Sequence, residues 1–240
     1  MTTKPEPERT ARKFYKTADV KPAAGAFIVT LDGRALRTPA KAPFTTPTSA
    51  LAEACAAEWN AQIDFIRTPT MPLTRLVNVA LDFTPMRRAE VAASVAKYAQ
   101  TDLISHRADH PASLIARQRA IWDPLLVWAD DTIRARLETG AGVLAHAQPP
   151  AALEAFEQAA AALDDFRLTG LAHAVGLAGS AVIGLALTHN AIDAEAAFAA
   201  SALDELYQLE TWGDDAEARA RLASLHAEFQ ALQTYFAALK

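Results

Sequence analysis

Cysteine is almost missing from this 240-residue chain, where Cys55 stands alone. A lone cysteine cannot pair within the chain, so a disulfide scaffold is excluded, as is a structural zinc site built from several thiolates. Glycine is sparse, with nine residues, and none of them sits in a GxGxxG fingerprint, a P-loop or a GxSxG nucleophile elbow. Long apolar runs are also lacking. The longest, Leu171 to Leu187, contains His173 and falls short of the roughly 20 residues that span a bilayer. It predicts a buried core helix, and no membrane insertion is expected. Met1 to Thr10 have no apolar stretch of the secretory kind, and Glu6 and Glu8 break the acid-poor character of an organelle transit peptide. A reducing cytoplasm is the expected compartment.

What the chain does have is apolar bulk. Hydrophobic residues make up 51% and charged residues 21%, enough buried surface to offset the entropy of ordering most of it. Alanine supplies roughly a quarter of the residues, which leans the chain towards helix. The net charge of −5 hides an asymmetry. Residues 1–41 carry nine Lys/Arg against four Asp/Glu, whereas residues 151–240 carry four against thirteen. With a pI near 5.7 and an acidic second half, nucleic acid is not the expected partner.

The pattern changes near residue 84. Ala26 to Leu31 favours a strand, and Asp32-Gly33 ahead of Ala35 to Thr38 is a strong hairpin signal. Phe44 to Thr46 and Asp64 to Arg67 read as further short strands. A helix follows Thr48 or Ser49 as N-cap, with Leu51, Ala54, Cys55 and Trp59 on one face. From Thr84-Pro85 onward the pattern is helical. Val91, Val95, Tyr98 and Asp102 share one face, and Leu114, Gln118, Ile121, Trp122 and Leu125 share another, with Pro124 expected to end or kink that helix. Later helices are expected at 150–163, 167–187, 193–210 and 214–239. Ala218, Leu222, Leu225, Phe229, Leu232, Phe236 and Leu239 trace a packed seam along the last one. The fold class is therefore α+β: a small amino-terminal domain with a β-hairpin (1–84), then an all-helical bundle (85–240).

Catalytic constellations do not emerge. His106 and His110 are four apart, but Arg107 stands where a metalloprotease helix needs glutamate, and no metal site is expected. Asp130-Asp131, Asp164-Asp165 and Asp214-Asp215 are adjacent pairs that diverge on a helix, suited to caps rather than dyads. Cys55, on an apolar face, suits an inert thiol. Arg75, Asp102 and Gln118 interrupt apolar faces. Buried polar groups need partners, so the three read as a structural network joining the domains or, alternatively, as the polar site of an enzyme of unrecognised type. Trp59 reads as core.

Several segments occur in an order that resembles a known family: Arg12 to Lys16, Leu31 to Pro39, Glu58-Trp59 with Gln62, Met71 to Asn78, Tyr98 to Leu103, Gln118 with Trp122 to Leu126, and Tyr207-Gln208 with Trp212-Gly213. Together they are similar to the F1-ATPase assembly chaperones of the ATP12 type, found in mitochondria and α-proteobacteria. That resemblance implies a monomeric, cofactor-free, non-enzymatic holder of the unassembled ATP synthase α subunit. Such a holder prevents aggregation of α before α and β alternate in the hexamer. The start, which does not read as a transit peptide, makes a bacterial cytoplasm the expected setting rather than a mitochondrial matrix. A surface of that kind needs an aromatic anchor beside charge. Trp212, flanked by Glu210, Asp214, Asp215 and Glu217, is the candidate, the other reading being that it staples the last two helices together.

Overall fold

In the computed structural model, residues 11–142, 146–213 and 215–240 are described. Met1 to Thr10, whose leader character was considered above, lie outside the described residues, as does Asp214. The chain divides into two compact units, one reaching to Asp82 and the other running from Phe83 to Ala238.

The first unit is organised by a central strand. β2 (Ala26–Leu31) pairs antiparallel with β1 (Ala18–Ala23), β3 (Arg34–Ala35) and β4 (Thr45–Thr46). The turn from β2 to β3 is the expected Asp32-Gly33, whose φ values of +49° and +81° match strand twist. The Asp32 carboxylate also accepts the N–H groups of Lys16 and Thr17 at 3.0 Å each, and these hold its pKa below the usual range. A second hairpin, turning at Ala24-Gly25, precedes it.

α1 (Ser49–Asn60) starts where the Thr48 hydroxyl accepts from Leu51 N–H at 3.2 Å. It buries Leu51, Ala52, Cys55 and Ala56, and Asn60 both donates to and accepts from the backbone of Ala18 at 2.8 Å. α2 (Pro72–Asp82) is a helix the pattern did not suggest, because Pro72 looks like a breaker. At the first helical position its missing N–H costs nothing. Asp82 closes α2 by accepting from the Thr38 hydroxyl at 2.7 Å and Ala40 N–H at 3.0 Å. The strand expected at 64–67 reduces to one antiparallel bridge, Arg12 with Phe65.

The second unit is helical apart from a two-residue parallel ribbon, β5 (His106–Arg107) with β6 (Gly140–Ala141). α3 (Thr84–Gln100) begins at the expected place and is kinked at Arg87. Its first residue does not act as a cap, since the Thr84 hydroxyl meets that of Thr169 at 2.6 Å instead. α4 (Ala112–Ile133) does not end at Pro124 but runs on past it, and buries Gln118, Trp122, Leu125 and Ala129. α5 (Pro150–Ala161), α6 (Asp165–Ala178), α7 (Ala181–Thr188), α8 (Ala194–Ser201), α9 (Leu203–Trp212) and α10 (Ala216–Ala238) complete the unit.

The single helix expected at 167–187 is two. Gly179 turns left-handed at φ +65°, and the Ser180 hydroxyl caps α7 by accepting from Ile183 N–H at 3.1 Å. The expected helix at 193–210 likewise breaks at Ala202 into α8 and α9. α7 is buried at all eight positions, as a helix apolar on every side must be. Gly170 and Gly184 let neighbours approach closely. A Cβ there would meet the Phe236 ring at 2.6 Å and Val175 at 2.5 Å respectively. Along α10, Leu222, Phe229, Leu232 and Phe236 are buried, while Ala218 and Leu225 are only partly so.

Candidate interaction surface

One face of α9 meets α4. Asp204, Tyr207 and Glu210 recur at helical spacing and face α4. Gln118 Nε2 donates to Asp204 at 2.8 Å, the hydroxyls of Ser113 and Tyr207 meet at 2.6 Å, and Arg117 grips Glu210 through both guanidinium nitrogens at 2.6 and 2.9 Å. The Arg117 pair lowers the pKa of Glu210 and raises its own. In open water such a pair fixes geometry more than it stabilises.

At the end of α9 the chain turns sharply. Gly213 takes φ +102°, a conformation that disfavours any side chain, and the Asp215 carboxylate accepts Glu217 N–H at 2.9 Å to start α10. Trp212 stands at this corner 77% exposed. The Glu217 carboxylate has no partner among the described residues, the Asp215 carboxylate beside it is exposed, and Glu210, two residues before Trp212, is exposed but held by Arg117. The corner therefore offers a large, largely unburied indole next to carboxylates. Asp214, the fourth acid considered there, lies outside the described residues.

The polar residues that interrupt apolar faces fall into separate settings. Asp102 does not line α3, because that helix stops at Gln100. It is wholly buried and accepts the N–H groups of Ala181 at 2.7 Å, Ile104 at 3.2 Å and Val182 at 3.3 Å. Burial pushes its carboxyl up to about 6, with the hydroxyl of Ser180 and these amides acting against that rise. Gln118, also buried, accepts from Ala108 N–H at 2.9 Å and reaches Asp204. Arg75 belongs to the first unit, on α2, where its charge acts on Glu58. The partners of Asp102 and Gln118 all lie in the second unit and do not overlap.

Trp59 is half-buried on α1, edge-on to Tyr15 at 5.6 Å, and its carbonyl receives the Tyr15 hydroxyl at 2.6 Å. Glu58, beside it, carries a role that the sequence pattern does not signal. Its two carboxylate oxygens accept the N–H groups of Leu73 at 2.7 Å and Thr74 at 2.8 Å, capping α2.

The Cys55 thiol is fully buried, and burial drives its pKa upward, away from the reactive thiolate. His106 and His110 lie on an extended segment rather than one helix face, and His110 pairs with Asp109. Among the described residues no group of three His, Cys, Asp or Glu is placed to hold a metal ion. Asp164 caps α6, accepting from Arg167 N–H at 2.9 Å. No helix among the described residues is long and apolar enough to cross a membrane.

Comparison with known proteins converges on one family. The family model described as ATP12 chaperone protein matches residues 12–130. The mitochondrial protein atp12 of Schizosaccharomyces pombe is 25% identical over 221 residues, covering 87% of this chain and 76% of that protein. The crystal structure of Atp12 from Paracoccus denitrificans superposes with a TM-score of 0.89 at 40% identity, covering 96% of this chain and 99% of the other. A structure from Agrobacterium tumefaciens gives 0.90 at 34% identity, covering 99% and 93%.

Proposed function

The chain belongs to the ATP12 chaperone family, assembly factors for the F1 sector of ATP synthase, and from this membership we propose that it holds the unassembled α subunit and keeps it from aggregating until α and β form the hexamer. The observation that carries the proposal is the Trp212 corner. A free α subunit exposes the apolar area of an obligate interface. A reversible holder covers it with an aromatic anchor and a polar rim. Trp212 supplies the anchor, and Glu210, Asp214, Asp215 and Glu217 supply the acidic rim.

The holder acts as a monomer in the bacterial cytoplasm, without cofactor and without turnover. The burial of Asp102 speaks for the last point, since a carboxylate with no accessible surface cannot meet a substrate. Arg75, Asp102, Gln118 and Trp59 are then framework residues of an amino-terminal unit (1–84) and a helical unit (85–240).

The test is capture of separately produced α and β subunits. The chain retains α and not β, and Trp212→Ala weakens α binding by about 2 kcal/mol. Equal retention of both subunits, or unchanged affinity in the variant, contradicts the proposal. Charge reversal at Glu217 slows association and changes its salt dependence, because a rim charge steers encounter.

A further inference from the structure

The first unit carries a second exposed apolar feature, on a two-stranded ribbon. Lys13 N–H bonds to the Asp64 carbonyl at 2.9 Å and Ile66 N–H to that of Ala11 at 2.8 Å, flanking the Arg12–Phe65 pair. This register sets Phe14 opposite Ile63, and alternation brings both to the same face as Arg12 and Phe65. Phe14 is 72% and Ile63 82% exposed, and Phe65 is partly so.

Beside Phe65 lies an open groove of ≈ 580 Å³, within the size range of sites that take in ligand side chains. Its floor is fixed by Gln62, which donates to the Glu58 carbonyl at 3.0 Å and the Thr70 hydroxyl at 3.2 Å and accepts from Arg67 N–H at 2.8 Å. In this register the N–H and C=O of Arg12 and Phe65 point away from each other's strand, and none has a partner among the described residues. The ribbon carries Arg12 and Lys13 against one acid, Asp64, and Arg67 follows it directly. Arg12 lies over the Phe65 ring at 5.9 Å, and neither Arg12 nor Arg67 has a carboxylate partner among the described residues. Residues 11–82 carry nine Lys/Arg against six Asp/Glu.

We infer that the ribbon 11–14/63–66 is a second docking edge, which takes an extended segment of the α subunit bearing apolar and carboxylate side chains. The inference rests on the client proposed above. The outward peptide groups of Phe65, which lines the groove, call for a strand, the flanking apolar side chains and groove seat alternate residues of it, and the guanidinium groups of Arg12 and Arg67, which lack carboxylate partners, call for its acids. The Trp212 corner is acidic, so the two surfaces contact differently charged parts of one client.

The test measures α-subunit affinity of the full chain at low and high salt, beside Ile63→Ser, Arg67→Glu and the control Met86→Ser, which alters an equally exposed side chain of the second unit. Ile63→Ser binds about tenfold more weakly. Arg67→Glu does the same and flattens the salt dependence, while Met86→Ser binds as the unaltered chain does. If the unaltered chain binds α and either ribbon variant matches it, the docking edge is overturned and the Trp212 proposal stands. If the unaltered chain does not bind α, both fall. Sedimentation showing dimers that Ile63→Ser dissolves assigns the edge to a second copy, and tighter binding after removal of residues 1–10 assigns it to the chain's own segment. Either result overturns the proposal.

Discussion

The helices α2 and α7 begin in the same way in two different units. Each start is satisfied by a carboxylate from a segment well before it in sequence: Glu58 receives the first amides of α2, and Asp102 those of α7. The difference is in the surroundings. Glu58 is half-buried and feels the positive charge of Arg75, which opposes the rise that burial causes. Asp102 is sealed, and only hydrogen bonds oppose its rise to about 6. Hydrogen bonds without a cation, from the start of α7 together with Ile104 and Ser180, therefore sustain a buried acid, whereas at Glu58 a cation adds to the hydrogen bonds from Leu73 and Thr74.

The comparison is broken most directly at the caps themselves. Asp102→Ala leaves three buried amides without acceptors and costs about 3 kcal/mol in urea unfolding. Glu58→Ala costs less, about 2 kcal/mol, because water reaches that site. Equal losses would mean that enclosure does not set the difference.

The comparison is sharpened by titration. A raised folded-state pKa gives stability that is full below the ordinary aspartate value near 4 and lost as pH rises through about 6. The unaltered chain should therefore lose stability relative to Asp102→Asn across that window and hold a constant difference above it. A flat difference contradicts the assignment. Arg75→Gln should raise the Glu58 carboxyl further, read by NMR titration, and leave Asp102 unmoved. The smallest stability effect belongs to an ordinary local cap: Thr48→Ala costs about 1 kcal/mol by losing the Leu51 bond.

Features set by neighbours in sequence are legible from the residues alone. Asp32-Gly33 announces its turn because only left-handed residues fit there. Thr48 announces its helix because its hydroxyl serves the first turn, and the α10 seam is visible in its spacing. Features set by partners far along the chain are not. Pro72 reads as a stop unless Glu58 is known to wait for the amides that follow it. Asp102 falls at helical spacing from Tyr98, yet the chain leaves the helix before reaching it. A run as apolar as 167–187 conceals the Gly179-Ser180 break, because both resulting helices are buried.

The candidate surface is legible in part. Trp212 beside acids can be picked out by residue type, but its exposure and the Arg117 grip on Glu210 depend on how α4 meets α9. Phe14 and Ile63 are ordinary apolar letters until pairing sets them side by side.

Cys55 has a practical consequence. Its sulfur is enclosed on the buried face of α1 and held as the thiol, so maleimide or a spin label leaves the natural chain unmodified. A thiol introduced by Trp212→Cys or Ile63→Cys would then be the sole point of attachment, and fluorescence quenching on contact could watch each surface engage a client without first engineering the background clean.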